Sequence, residues 1–358
     1  MPTSTAMKIA SIPGDGIGSE VVAAGRTVLD AMAAGSNGEL VIDWHEFPWG
    51  TSYHEKTGRM MPEDGIERVR GLDAIYFGAV GWPTLPDHIT LWGLRLALCQ
   101  GLDQWANVRP VRFFPGVQSR IRLESQDVLD WVVVRENSEG EYSGMGGRNF
   151  AARGSDGEVA VQSSVFTERG CRRIIRFAFE MARERTAKKV TSVTKSNAQQ
   201  HGLVLWDEVF RDVAKDYPDV EAESMLVDAM AARFVLRPES LSVVVASNLF
   251  ADILSDLGSA MAGSLGLAAS ANLNPERRTP SMFEPVHGSA PDIAGMGVAN
   301  PIGALGSAAL MLQHLGFDDH AKRLDKALLS TTAAGVLPRD LGGSSSTDEV
   351  VAAVIDHL

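Results

Sequence analysis

Short apolar runs alternate along this chain with segments whose apolar residues recur every three to four positions. The first run, 7–12, predicts a buried strand, and the following turn, PGDGIG at 13–18, leads into a helical pattern over 19–32. Two later runs, 74–80 and 129–135, also predict buried strands. Because strands that alternate with helices favour parallel sheets, the pattern predicts an α/β fold.

The middle of the chain has a different residue pattern, with more glycine and no helical spacing of apolar residues. Between residues 142 and 164, glycine-rich turns flank an alternating stretch that predicts a β-hairpin leaving the body of its domain. Ser346 and Glu349 have the spacing of a capping box, so a final helix is expected to begin there. The remaining expected elements are a helix over 167–183, strands over 190–194 and 241–246, and a helix over 248–257.

Composition narrows the class of protein. With 358 residues, 45% hydrophobic and 22% charged, the chain is long enough for two globular domains. A formal net charge of −12 disfavours nucleic acid or an anionic membrane as the main partner. Only Cys99 and Cys171 are present, and we find neither a secretory signal nor an apolar run of membrane-spanning length. A soluble cytoplasmic protein without a disulfide framework is expected.

The glycine-rich turn at 13–18 suggests a phosphate cradle, because a strand, glycines and a helix start are combined. A dinucleotide fingerprint starting at Gly14 would require glycine at position 19, where Ser19 stands. The turn therefore either borders a cofactor without the usual fingerprint or simply connects a strand to a helix.

Asp252 and Asp256 are four residues apart on a predicted helix and so share one face. Two carboxylates in this register repel each other but suit a hard divalent cation such as Mg²⁺ or Mn²⁺. Asp228, another acidic residue in apolar surroundings, is a candidate third ligand. The same spacing also suits a solvated acidic face.

Three arginines, Arg95, Arg109 and Arg135, follow or lie inside apolar segments. Each alone fits a structural ion pair, whereas together they would grip a substrate with two carboxylates. Tyr142 and Lys195 are the candidate acid and base, and Lys195 ends a predicted strand, where α/β chemistry is usually placed. A packed tyrosine and a surface lysine are the simpler alternatives.

Taken in order, these segments resemble the β-decarboxylating dehydrogenases, which include isopropylmalate, isocitrate, tartrate and D-malate dehydrogenases. The resemblance covers essentially the whole chain, and its longest motif is EPVHGSAPDIAG at 284–295. It implies an isopropylmalate dehydrogenase-like, doubly wound α/β fold and a homodimer with shared active sites. The implied domains are a cofactor-binding domain, 1–104 with 263–358, and a substrate, metal and dimerisation domain, 105–262, with an intersubunit arm at about 142–164.

The resemblance also implies roles for the candidate residues. Arg95, Arg109 and Arg135 would hold the substrate carboxylates. Asp252 and Asp256 would bind Mg²⁺ or Mn²⁺ together with Asp228 of the partner subunit. Lys195, also expected from the partner, would be the base toward the hydroxyl, Tyr142 would protonate the enol, and Asn197 would face the substrate and the nicotinamide.

A dinucleotide site is implied at a loop late in the chain. The implied adenosine-binding residues are His287, Gly288, Ser289, Ala290, Asp292, Ile293 and Asn300. A carboxylate at Asp292 accepts hydrogen bonds from ribose hydroxyls and repels a 2′-phosphate, so NAD is expected rather than NADP. A need for a monovalent cation such as K⁺ stays open.

Substrate choice is expected to depend on the segment before Arg95. Trp92 leaves less room for a branched alkyl group than the leucine-rich surface of isopropylmalate dehydrogenases, and His88 offers a hydrogen bond to a polar substituent. The segment most resembles the tartrate and D-malate branch. The alternatives are 3-isopropylmalate dehydrogenase of leucine biosynthesis and a non-catalytic regulatory subunit; tartrate and D-malate are not ranked, and obligatory decarboxylation is left open.

Overall fold

The computed structural model describes residues 6–121, 129–150, 152 and 157–358. Parts of the expected arm, 151 and 153–156, lie outside these residues. The chain divides into two compact units. The first comprises Met1–Gln104, Val108–Asp130 and Gly258–Leu358, and the second comprises Trp105–Asn107 and Trp131–Leu257.

Strands and helices alternate over most of the described chain. The strands are β1 (Met7–Gly14), β2 (Ile42–Glu46), β3 (Ala74–Ala79), β4 (Ala106–Arg112), β5 (Asp130–Glu136), β6 (Gly146–Asn149), β7 (Val159–Gln162), β8 (Lys189–Thr194), β9 (Glu221–Leu226), β10 (Val243–Ala246), β11 (Ala269–Leu273) and β12 (Ser281–Pro285). The α-helices are α1 (Gly18–Ala34), α2 (Thr51–Thr57), α3 (Gly65–Arg70), α4 (Asp87–Thr90), α5 (Leu96–Gly101), α6 (Glu168–Glu184), α7 (Gly202–Ala214), α8 (Val227–Leu236), α9 (Asn248–Ala262), α10 (Ile302–His314), α11 (Asp318–Ala333) and α12 (Thr347–Asp356).

In the first unit the strands follow the order β2-β1-β3-β12-β11-β4. β2, β1, β3 and β12 are parallel, whereas β11 runs antiparallel to β12. Every residue of β3 is buried, as expected for an inner strand covered on both faces. Helices α1 and α10 pack on this sheet, with α11 and α12 against them. The carboxyl ends of β1 and β3 therefore lie at one edge, where the turn at 13–18 begins.

The second unit has four parallel strands in the order β5-β10-β8-β9. Helix α6 packs on β10 and β8, and its apolar face also contacts α7. Strands β6 and β7 form a separate antiparallel hairpin whose described side chains are all exposed. The carboxyl ends of β5, β10 and β8 lie at one edge of this parallel sheet.

The main expectations about the fold are confirmed. The chain is α/β with mostly parallel strands, the hairpin forms, and Ser346 and Glu349 make both hydrogen bonds of a capping box. Outside the predicted strands lie β2, β4, β9, β11 and β12. β2 and β9 are partly exposed strands at a sheet edge and lack a clear apolar run. In the described ranges, no helix is both long and apolar enough to cross a membrane.

The unit boundaries differ from the expected domains at two places. Val108–Asp130 and Gly258–Ala262 lie in the first unit, although 105–262 was expected to form the second domain. The reason is long-range contact: β4 lies beside β11 of the first unit, and Arg112 on β4 forms an ion pair with Asp325 of α11 at 3.3 Å. The backbone N–H of Arg120 and the hydroxyl of Ser119 then join 258–262 to this segment, because both donate to the carbonyl of Met261, at 3.1 and 2.9 Å. Arg109 therefore belongs to the first unit.

Candidate active site

A charged cluster lies in the second unit at the carboxyl end of β5. Arg135, only 2% exposed, donates from Nε to Oδ1 of Asn248 at 2.8 Å and forms an ion pair with Asp252 through Nη1. The Tyr142 hydroxyl donates to the other Asp252 oxygen at 3.1 Å. The guanidinium also lies 5.1 Å from the centre of the Tyr142 ring. The structure thus brings together three residues that the sequence placed in separate motifs.

The topology explains this convergence. Arg135 pairs with Ala246 in the register of β5 and β10, and α9 begins two residues after β10 ends. The start of α9 therefore lies beside the end of β5. Asn248, the first residue of α9, also donates to the carbonyl of Glu139 at 3.2 Å and so fixes the loop that carries Tyr142.

Two contributors to this cluster were missed in the sequence, Asn248 and Glu141. Glu141 accepts from the backbone N–H of Leu249 at 3.3 Å, and its second oxygen is buried without a hydrogen-bond partner in the described part of the chain. Both lie beside residues that were singled out, at the start of the aspartate helix and directly before Tyr142. Their position next to these candidate residues was the only sign in the sequence that Asn248 and Glu141 belong to the cluster.

The two aspartates of α9 offer oxygen ligands of the kind that Mg²⁺ and Mn²⁺ prefer. Asp252 is half-buried and Asp256, one turn later, is exposed. Among the residues that the structure describes, no three His, Cys, Asp or Glu side chains form a group able to hold a metal. The donor chemistry of the two aspartates fits a divalent ion, and further ligands must come from substrate, water or another chain.

Asp228 and Lys195 form a second charged pair in the same unit. Lys195 follows β8, and Asp228 lies in the first turn of α8, directly after β9. Because β8 and β9 are parallel neighbours, both residues lie at the same edge, and Lys195 Nζ donates to Asp228 Oδ1 at 2.7 Å. Lys195 lowers the pKa of the Asp228 carboxyl below its usual value. Asn197 is exposed in the turn that follows.

In the first unit, Arg95 is buried and held by side chains. Its Nε donates to Oε1 of Glu284 at 2.8 Å and its Nη2 to Oδ1 of Asn272 at 3.4 Å. Asn272 also donates to the same Glu284 oxygen, at 2.7 Å. Arg109, on β4, is buried as well. Glu284 and Asn272 were not predicted as partners, because residues this far apart in sequence meet only through the pairing of β11 with β12.

The expected specificity segment contains an unusual turn. α4 continues into one turn of π-helix over Leu91–Arg95, a geometry that is rare and often found at functional sites. It leaves Trp92 38% exposed, while Arg95 at the end of the same turn is buried. His88 is exposed on α4.

The glycine-rich turn lies against the loop expected to bind adenosine. The N–H of Ile17 donates to the carbonyl of Ser289 at 2.8 Å, and a Cβ on Gly16 would lie 2.0 Å from the same oxygen. Gly16 also has a φ of +56°, so glycine is required here both for space and for conformation. Asp15 is buried and accepts hydrogen bonds from the N–H groups of Thr51 and Gly81 at 2.7 and 2.9 Å, which fixes the turn.

Within that loop, the His287 imidazole lies close to the carbonyl of Gly288, with Nδ1 at 2.9 Å. Burial lowers the pKa of His287, so the ring is neutral near pH 7. Its Nε2 is buried with no hydrogen-bond partner in the part of the chain described here. An unsatisfied buried nitrogen fits a hydrogen-bonding group from a bound molecule, such as the adenine of a dinucleotide.

The other residues of this loop differ in exposure and in their hydrogen-bond partners. Gly288 and Asp292 are exposed, Ala290 and Ile293 are partly buried, and Ser289 is buried. Asn300 uses its side chain internally, because Nδ2 donates to Asp340 at 2.9 Å and Oδ1 accepts from the N–H of Ile302 at 3.0 Å. Glu20, which was missed in the sequence, accepts from the N–H groups of Gly295 and Gly297 and ties the loop to α1.

Comparison with known proteins places this geometry in a family. The family model described as isocitrate/isopropylmalate dehydrogenase matches residues 8–354. A probable tartrate dehydrogenase/decarboxylase of Agrobacterium vitis is 55% identical over 98% of this chain and 97% of its own length. The D-malate dehydrogenase [decarboxylating] of Escherichia coli (strain K12) is 47% identical over 97% of both chains.

The fold comparison agrees with the sequence comparison. The crystal structure of isocitrate dehydrogenase from Methylococcus capsulatus matches 98% of this chain and 99% of its own with a TM-score of 0.88, at 34% identity. The family model covers nearly the whole chain, and the relatives share about half of its residues. Both comparisons assign the chain to the same family. The chain belongs to the isocitrate/isopropylmalate dehydrogenase family.

Proposed function

We propose that this protein oxidises tartrate or D-malate with NAD, in a reaction that depends on Mg²⁺ or Mn²⁺ and is followed by loss of the carboxylate β to the new ketone as carbon dioxide. Its class, a decarboxylating hydroxy-acid dehydrogenase, follows from its family and from relatives named tartrate dehydrogenase/decarboxylase and D-malate dehydrogenase. The observation that carries the proposal is the contact of Arg135 and Tyr142 with Asp252.

That contact places three kinds of chemistry within one cluster. A buried guanidinium suits a carboxylate of the substrate, because its planar fork donates hydrogen bonds to two oxygens at once. A carboxylate beside it suits a divalent cation, and a phenol within hydrogen-bond distance of that carboxylate suits proton transfer. A 2-hydroxy dicarboxylic acid requires all three. We assign carboxylate binding also to Arg95 and Arg109.

The residues of the chain then have separate tasks. NAD, held by the loop that carries His287 and Asp292, would supply the hydride acceptor, and a divalent cation held by Asp252 and Asp256 would supply Lewis acidity toward the substrate oxygens. Lys195 accepts the hydroxyl proton, so that a ketone forms as the hydride leaves. The carbon–carbon bond to the second carboxylate breaks, and its electron pair becomes the enolate. Tyr142 donates the proton that converts this enolate into the product.

The two charged pairs support a homodimer with shared sites. Lys195 and Asp228 contact each other, so one subunit supplies both as a unit, while Asp252, Asp256 and Tyr142 come from the other. Apolar side chains on the helices that carry these groups are exposed: Ile253 of α9 is 58% exposed next to Asp252, and Leu236 at the far end of α8 from Asp228 is 76% exposed. Large exposed apolar side chains at such a place favour a protein interface.

NAD is supported by two features of the loop after β12. The neutral His287 has an Nε2 without a hydrogen-bond partner among the described residues, and Asp292 is an exposed carboxylate that suits ribose hydroxyls and disfavours a 2′-phosphate. Neither K⁺ nor another monovalent cation enters the proposal.

The test is an NADH assay with purified protein, Mn²⁺, and tartrate, D-malate or 3-isopropylmalate in turn. We expect activity with tartrate or D-malate that is lost with excess chelator and regained with Mn²⁺. Asp252→Asn and Asp256→Asn should each lower kcat/KM by at least about 10²-fold, because each replaces a charged carboxylate ligand with a neutral amide. Asp319→Asn, a change at an exposed aspartate of α11, is the matched control. NADH production that is unchanged by excess chelator and by both substitutions would contradict the proposal.

The same assay separates the two alternatives. A higher kcat/KM with 3-isopropylmalate than with both other acids would favour the isopropylmalate dehydrogenase of leucine biosynthesis. No NADH with any of the three would favour a non-catalytic regulatory subunit, although Tyr142, Lys195, Asp252 and Asp256 are all present.

A further inference from the structure

We propose that the first unit binds a compact multivalent oxyanion, a phosphate ester or a polycarboxylate, in an arginine-lined cavity at the amino ends of β3 and β12. The cavity has a volume of about 330 Å³. Its charged lining residues are Arg70, Asp73, Arg277 and Arg278. We refer to it as the arginine cavity.

Two of the three arginines have no partner of their own. Arg70 pairs with Glu67, whereas the guanidinium groups of Arg277 and Arg278 make no hydrogen bond or ion pair to any residue that the structure describes. The single lining carboxylate, Asp73, already accepts from the backbone N–H of Lys8 at 2.7 Å. In a protein with a formal net charge of −12, a concave surface with this excess of positive charge is unusual and suits an anion.

The backbone of the same loop adds a second observation. Arg277 lies between β11 and β12 with a φ of +54°, a conformation that favours glycine or asparagine. An arginine here costs backbone energy, and such outliers concentrate at functional sites. The fork of a guanidinium binds phosphate or carboxylate oxygens in pairs, so two unpartnered arginines on adjacent residues are matched to a ligand with several such oxygens.

The arginine cavity is distinct from the loop after β12, residues 286–300, which we propose binds NAD and which we call the cofactor loop. Ser281, which begins β12, pairs with Ala74, which begins β3, so the cavity lies at the amino edge of this sheet. The glycine-rich turn lies at the opposite edge, where the N–H of Asp15 donates to the carbonyl of Ala79 at the end of β3. A six-residue strand separates the two edges by roughly 20 Å.

Binding is tested by calorimetric titration of the full-length protein in low-salt buffer without divalent metal, because both probes chelate metals. The probes are inorganic pyrophosphate and citrate, which represent the two sources of the oxyanion, with acetate as the monovalent comparison. We expect saturable binding of at least one probe, and the tighter of the two identifies the class. Arg277→Ala with Arg278→Ala should weaken it by at least about tenfold.

The matched control removes two other exposed arginines, Arg59→Ala with Arg68→Ala, each of which pairs with a nearby carboxylate outside the cavity. This control variant should change the affinity for the bound probe by less than about threefold. The Arg277 and Arg278 variant should keep the wild-type kcat and KM for NAD and hydroxy acid. The proposal is overturned if neither probe binds the wild type, or if binding survives unchanged in that variant. The calorimetric binding measurement does not depend on dehydrogenase activity. Failure of the oxyanion proposal is therefore distinct from failure of the proposed function.

Discussion

Arg135 shows what a single buried charge requires of its surroundings. A guanidinium that is 2% exposed must be paired and hydrogen-bonded, and Asn248 and Asp252 provide this from the start of α9. The same contacts hold Asp252 in place for Tyr142. A neutral residue at position 252 would therefore affect both the proposed metal binding and the pairing of Arg135.

Trp92 is the residue at which we expect substrate choice to change. Trp92→Leu should raise kcat/KM for 3-isopropylmalate relative to D-malate, because a smaller side chain on the π-helical turn leaves more room for a branched alkyl group. The measurement is the ratio of the two kcat/KM values. Trp44→Leu, on β2, is the matched control and should leave the ratio unchanged. An unchanged ratio in the Trp92 variant would remove it as the selector.

His314, at the end of α10, predicts a pH effect on stability. Burial, together with the nearby Arg277 charge, lowers its pKa to about 4 from the ordinary value of 6.5. Between these values the unfolded chain binds more protons than the folded one, so the stability linked to this residue decreases as the pH falls from 6.5 toward 4.

The check on this effect is urea unfolding of wild type and His314→Gln at pH 7 and pH 5, in buffer without multivalent anions. The substitution removes the hydrogen bond between His314 and Ser281 at both pH values. Only the change in unfolding free energy between pH 7 and pH 5 therefore reports the protonation of the imidazole. We expect a smaller loss of stability in the variant on going to pH 5. Equal losses in both proteins would contradict the lowered pKa.

At the scale of elements, the cofactor loop is held at both sides by helix starts. Glu20 in the first turn of α1 accepts from the N–H groups of Gly295 and Gly297. Thr347 at the start of α12 donates to the carbonyls of Gly297 and Ala299, at 2.9 and 2.7 Å. The loop therefore owes its conformation to two helices that also pack against each other.

Glu20 is accordingly expected to act as a positioning residue for NAD. Glu20→Gln should raise KM for NAD about five- to tenfold, because an amide cannot accept both hydrogen bonds with a full charge. The kcat should stay within about twofold, and KM for the hydroxy acid should not change. Glu55→Gln, an exposed change on α2, is the control. A general loss of kcat without a KM effect would indicate that the loop is not the NAD site.

At the scale of the whole molecule, the exposed apolar residues of the second unit predict its assembly. Met145, Val159 and Val161 on or beside the hairpin are each at least half exposed, in addition to Leu236 and Ile253. Because the proposed active site needs charged pairs from two subunits, assembly and activity should be lost together.

Leu236→Glu combined with Val159→Glu should convert a dimer into monomers, since burying two carboxylates in an apolar interface is costly. Light scattering gives the mass, and NADH production at the same concentrations gives the activity. Leu265→Glu, an equally drastic change at an exposed leucine of the first unit, should leave both unchanged. A wild type that is monomeric and active would contradict the shared site.

The sequence by itself determined most of the local structure. Strands such as β3 were predictable because burial on both faces demands a continuous apolar run, and α12 was predictable because a capping box is encoded by residues three positions apart. The pair Asp252 and Asp256 was visible for the same reason, since helical periodicity relates nearby residues. The glycine at position 16 was visible as a turn residue, but the carbonyl that it must avoid was not.

Only the tertiary structure decided which distant residues meet. Arg135 contacts Asp252, Glu20 caps a loop 275 residues away, and Arg95 reaches Glu284 across 189 residues. Strand order and register bring these residues together, and neither follows from periodicity, because the same apolar pattern permits several arrangements of strands. The placement of 108–130 in the first unit has the same cause, because the position of β4 beside β11 and the ion pair of Arg112 with Asp325 are long-range contacts that no local pattern encodes.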